Sequence, residues 1–169
     1  CSSDLKPVYH ECPNGDVEDI EWMRASASIP IASRPVKLGG KRLLDGGVSD
    51  PIPVKWMLSR GYEKNVVVLT RDVKYRKKAN PKMQLFLKAV LHKYPAFLKD
   101  LEERHIHYNE TLEELSALEK EGRVHIIRPS RPIQAAMIER DESNLEWIYQ
   151  TGRADMKKDL ERLKAYLDS

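Results

Sequence analysis

The chain has 169 residues, enough for a single hydrophobic core, and its 29 basic and 26 acidic side chains leave a formal net charge of only +3. That near-balance argues against a dedicated nucleic-acid binder. Two cysteines, Cys1 and Cys12, in neither metal nor redox spacing give no disulfide framework and point to a reducing compartment. No apolar run approaches the ~18 residues that cross a bilayer, and no segment has the order of a signal peptide, so any membrane contact is expected to be peripheral.

In chain order, Pro7-Val8-Tyr9-His10 reads as a short strand, ended by a turn at Pro13-Asn14-Gly15-Asp16. A helix follows, capped by Asp16 or Asp19, carrying Val17, Ile20 and Trp22-Met23, and closed before Pro30. Val36-Lys37-Leu38 and Lys41-Arg42-Leu43-Leu44 flank Gly39-Gly40, a pair suited to the positive φ of a two-residue hairpin turn. This hairpin delivers Asp45 at the end of a short strand. Gly46 and Gly47 then allow a sharp turn and close approach by other groups.

Asp50 is placed to cap the next helix, with Pro51 and Pro53 tolerated in its first turn and Val54, Met57 and Leu58 as its apolar face up to Gly61. Asn65 to Thr70 is a continuous β-branched and aliphatic run, expected of a strand covered on both faces, and Arg123 to Arg128 is a second. A long helical stretch separates them, which implies a parallel crossover. Met83, Phe86, Leu87, Val90, Leu91, Tyr94, Phe97, Leu98 and Leu101 recur at three and four, with Pro95 as a kink or a new start. Tyr108, Leu112, Leu115 and Leu118 form the next stripe, ended at Gly122, and Ser143 to Leu167 reads as a last helix weakened at Gly152.

Three segments in order, Trp22-Met23-Arg24-Ala25-Ser26-Ala27-Ser28-Ile29-Pro30, Gly39-Gly40-Lys41-Arg42-Leu43-Leu44-Asp45-Gly46-Gly47 and Asp50-Pro51-Ile52-Pro53-Val54, resemble the patatin-like phospholipase family, in particular bacterial members with a basic, helical C-terminal extension. Asn65 to Thr70, Tyr75 to Lys78, Tyr108 to Leu112 and Ile127 to Ser130 extend the likeness, from about Lys6 to the C-terminus. The resemblance implies a three-layer α/β/α fold with a largely parallel sheet, of which this chain supplies the later strands and helices. Residues 1–128 would complete the hydrolase domain and 129–169 would pack on it as a helical extension. It further implies hydrolysis of lipid esters through an acyl-enzyme, without a cofactor, by a Ser-Asp dyad whose base is Asp45. A cytoplasmic location follows from the same likeness, peripheral to the inner membrane face.

The family's nucleophile sits on Gly-x-Ser-x-Gly, and none of the eight glycines here forms that pattern. The chain thus reads as the C-terminal half of such an enzyme, its partner being the N-terminal half of the same domain, and is expected to be inactive alone. Ser26 and Ser28 lack the flanking glycines of a nucleophile elbow. His105 and His107 lie two apart with no third ligand nominated, so no metal site is expected.

From Arg71 to Lys99 basic residues dominate, including Lys74, Arg76, Lys77, Lys78 and Lys82. Interleaved with aromatics, they suggest a basic amphipathic helix resting on anionic headgroups. The glutamates from Glu102 onward would repel a nucleic-acid backbone. An alternative function is accordingly a noncatalytic membrane-surface or protein-interaction module.

Overall fold

A computed structural model describes residues 6–30, 32–92, 95–136 and 139–169. In chain order its elements are α1 (Val17–Ser26), β1 (Val36–Leu38), β2 (Lys41–Leu43), a 3₁₀ turn (Gly46–Val48), α2 (Val54–Ser59), β3 (Asn65–Val68), α3 (Pro81–Leu91), α4 (Pro95–Lys120), β4 (Val124–Ile127) and α5 (Glu142–Asp168). They fall into two compact units, one of Cys1–Pro53 with Lys77–Glu110 and the other of Val54–Arg76 with Thr111–Ser169.

In the first unit, α1 starts where the Asp16 carboxylate accepts the Asp19 N–H at 3.0 Å, satisfying one of the orphan donors of the first turn. The hairpin forms as its glycines require. Gly39 and Gly40 take φ of 54° and 72°, and β1 pairs antiparallel with β2 in the register Val36 to Leu43 and Leu38 to Lys41. Val36 and Leu43 project from one face and bury against Ala25, with Val8, Trp22 and Leu38 around them. Strand β2 is otherwise exposed at Lys41 and Arg42. Helix α3 begins at Pro81, behind an Asn80 side chain that accepts the Met83 N–H at 3.1 Å.

In the second unit, β3 and β4 run parallel, Asn65 opposite Val124 and Val68 opposite Ile127. Leu115, Leu118, Val124 and Ile126 are buried and form its core with Val54. The C-terminal part of α5 is tied to the sheet by Tyr166. Its hydroxyl accepts the Asn65 N–H at 2.8 Å and donates to the Arg123 carbonyl at 3.0 Å. His125, buried on β4, bonds through Nε2 to Asp159 of α5. Changing Tyr166 to Phe strands the N–H of buried Asn65, and urea unfolding should show a loss of about 1–3 kcal/mol.

Several expectations are corrected. Among the described residues the strands make two two-stranded sheets, one antiparallel and one parallel, within a mixed α/β chain, and a full three-layer fold is not shown. Pro7–His10 forms no strand, having no ladder partner among the described residues. Strand β3 is not covered on both faces: Val66 and Val68 are 42% and 69% exposed, because no layer of the described residues packs on that side. Asp50 does not cap α2, which begins four residues later. Pro51 and Pro53 occupy the approach instead, and the Asp50 carboxylate accepts the Tyr9 hydroxyl. Tyr94 lies outside the described residues.

Candidate active site

Asp45 lies two residues beyond β2, at the entrance to the 3₁₀ turn. Hydrogen bonds from its backbone and from its side chain fix its position. Its own N–H donates to the Ser28 carbonyl at 2.9 Å, tying the residue to the segment that leaves α1. Its carboxylate Oδ1 accepts the Gly47 N–H at 2.7 Å, capping the turn. The side chain is half-buried, and it projects from a hairpin end rather than from the parallel sheet.

The two glycines are close to their neighbours for different reasons. A Cβ on Gly47 would stand 3.1 Å from Asp45 Oδ1, tight enough to push the carboxylate aside, whereas one on Gly46 would meet Ser26 Oγ at an ordinary 3.7 Å. Sequence reasoning missed Arg104. From α4 its Nε donates to the Gly47 carbonyl at 3.0 Å, clamping the turn that carries Asp45. An arginine 57 positions away on a charged helix gives no sequence signal of this contact.

Ser28 is buried, and its hydroxyl donates to the Arg24 carbonyl at 2.8 Å, which spends it on the end of α1. Ser26 borders a cavity of about 40 Å³ lined also by Val8, Trp22, Ala25, Leu43, Leu44 and Gly46. That space holds little more than a water molecule. In the second unit, a larger cavity of about 540 Å³ includes Glu119, Arg128, Asp159 and Arg162 in its lining. There Glu119 takes bonds from both Arg128 and Arg162, at 2.9 and 3.2 Å.

The basic residues are not one amphipathic helix. Lys74, Arg76, Lys77 and Lys78 lie in the loop ahead of α3, and only Lys82 of the five is helical. Arg76 donates to the carbonyls of Val73 and Tyr75, at 3.1 and 2.8 Å. Lys77 exchanges backbone bonds of 2.8 and 3.0 Å with the Asn109 side chain and places its ammonium 5.2 Å from the Tyr108 ring. Asp72, Asn80 and Pro81 interrupt the helical period there, through a turn and a cap. His105 and His107 do not converge: His105 Nδ1 contacts the Glu102 carbonyl at 2.8 Å, while His107 lies between Glu103 and Glu110. A different trio does come together, since His10, Cys12 and Asp19 bring their ligand atoms within 4.8 Å of one another.

Residues 3–58 match the family model described as Patatin-like phospholipase. Residues 94–168 match another, described as Domain of unknown function (DUF6363). No curated protein and no solved structure matches the chain. The patatin resemblance is therefore placed in the first third of the chain rather than across it from Lys6 to the C-terminus. Asp45, Gly46 and Gly47 fall inside the matched residues. At that breadth the match supports resemblance to a lipid-hydrolase family. Among the described residues no helix is long and apolar enough to cross a membrane.

Proposed function

We propose that this chain supplies the general base of a patatin-type lipid acyl hydrolase, Asp45, to a serine nucleophile and oxyanion donors carried by polypeptide outside these 169 residues. One observation carries the reading: within the patatin-matched segment, the side-chain bond that Asp45 makes among the described residues runs through one carboxylate oxygen, Oδ1. Tethered through Oδ1, the group keeps a fixed direction while Oδ2 has the lone pairs to accept a hydroxyl proton. Gly47 protects that direction by having no Cβ, and Arg104 holds the turn beneath it.

The chemistry needs no further group. As the serine oxygen attacks the ester carbonyl, its proton passes to the Asp45 carboxylate, and the carboxylic acid returns it to the leaving alcohol. Water then repeats the cycle on the acyl-enzyme, giving the free fatty acid and restoring serine. The substrate class is a phospholipid or another lipid ester. The test is hydrolysis of a short-chain acyl ester by a polypeptide in which a Gly-x-Ser-x-Gly segment precedes this chain. Turnover is expected there, while the chain alone should show neither turnover nor labelling by a fluorophosphonate probe. Labelling of Ser26 or Ser28 in the isolated chain would overturn the assignment.

A second reading is favoured by the surface of α3, which exposes Met83 and Leu85 together with Lys82. In it, that helix and Lys78 rest on an anionic bilayer, apolar side chains entering the headgroup layer and ammonium groups pairing with phosphates. The chain should then co-sediment with phosphatidylglycerol vesicles at low salt and be released as salt rises. Absence of pelleting at low salt ends this reading.

A further inference from the structure

The turn before α1 assembles three different ligand types. Pro13 to Asp16, with Gly15 at φ of 65°, folds the chain back so that His10 and Cys12 stand over Asp19 in the first turn of the helix. The imidazole nitrogen, the thiol sulfur and a carboxylate oxygen lie within 4.8 Å of one another. We propose that His10, Cys12 and Asp19 bind one zinc-class divalent cation, with solvent completing its coordination shell.

Geometry and supporting contacts favour a metal over chance proximity. His10 Nε2 and Asp19 Oδ1 are 3.6 Å apart. Two ligands at ~2.0 Å on a tetrahedral zinc are separated by ~3.3 Å, so closing the edge takes a few tenths of an ångström. Asp19 is only 4% exposed, and its Oδ2 accepts the N–H groups of Asn14 and Gly15 at 2.9 and 2.8 Å. Those donors aim Oδ1 at His10, as outer-shell bonds orient a ligating carboxylate. They also hold its pKa below the ordinary carboxylate value, Asn14 contributing most, so it presents a charged oxygen. The His10 ring stacks on Trp22 with centroids 4.2 Å apart and planes 14° from parallel, which fixes the plane of its lone pair.

Cys12 completes the set. Its sulfur lies 3.9 Å from the Asp19 carbonyl, and the thiol pKa is pushed up by desolvation and then by the Asp19 and Asp16 carboxylates. A cation placed among these groups reverses that penalty, and its binding releases the thiol proton to solvent as the sulfur–metal bond forms. One nitrogen, one sulfur and one oxygen suit zinc and cobalt(II). Magnesium and calcium, which take oxygen ligands, are disfavoured.

The experiment is titration of the reduced, metal-free chain in a Cys1→Ser background. Cobalt(II) should bind one equivalent and give a thiolate-to-metal charge-transfer band in the near ultraviolet, which zinc then bleaches by displacement. Cys12→Ser should abolish the band, and His10→Gln should weaken zinc binding at least ~10-fold. His105→Gln with His107→Gln should leave both unchanged. Cys12 and His10 are exposed, so far-ultraviolet circular dichroism should be unaltered in their variants. Failure of cobalt to produce the band, its survival in Cys12→Ser, or full zinc affinity in His10→Gln each overturns the site.

Discussion

Asp45→Asn, made in a polypeptide that carries the nucleophile segment, is expected to lower ester turnover by ~10²–10⁴-fold while the melting temperature stays nearly constant. The separation of the two effects follows from the contact at Gly47. An asparagine oxygen can still accept that N–H, now at 2.7 Å, so the turn keeps its cap. The amide cannot take up a proton at neutral pH, so the serine hydroxyl loses its base. Asp45→Ala should add a stability loss of about 1 kcal/mol from the vanished cap. Esterase rates and thermal melts on the same preparations check both statements. Unchanged turnover in the Asn variant would remove Asp45 from the mechanism and leave it a turn-capping residue.

The largest structural effect is expected at Leu115. It is wholly buried, on the length of α4 that belongs to the second unit. Leu115→Ala should cost about 2–5 kcal/mol, the lost transfer energy of the side chain plus the cavity it leaves. Leu85→Ala is the control: at 72% exposure it should change stability by less than about 0.5 kcal/mol. Urea denaturation followed by tryptophan fluorescence measures the difference. Equal, small losses at both positions would mean that the core of the second unit does not depend on this leucine.

Local chemistry made much of the chain readable. Glycines at 39 and 40 demanded a hairpin, Asp16 supplied a cap, Pro95 opened α4, and two runs rich in β-branched residues found each other in parallel. What escaped was whatever depends on long-range company. Pro7–His10 has strand composition but no ladder to join, and β3 has the run of a buried strand with one side open. The basic stretch looked continuous because charge was read without its breakers, whereas Asp72 and Asn80 divert the backbone into a turn and a cap. At the candidate site, the aspartate and its glycines were legible as a motif, but Arg104 and the His10, Cys12 and Asp19 grouping were not. Contacts across 57 residues, or across a folded-back turn, leave no periodic trace.

The open side of β3 has a practical consequence. Val66, Val67, Val68 and Leu69 form an uncharged, proline-free run, and β4 is the one ladder partner of β3 among the described residues. Such an edge can template an extended segment from a neighbouring molecule, the first step toward cross-β aggregation. Concentrated stocks of the isolated polypeptide should be kept brief and cold. A lysine in place of Val68 would act as a gatekeeper, its charge making edge-to-edge stacking unfavourable without touching the core.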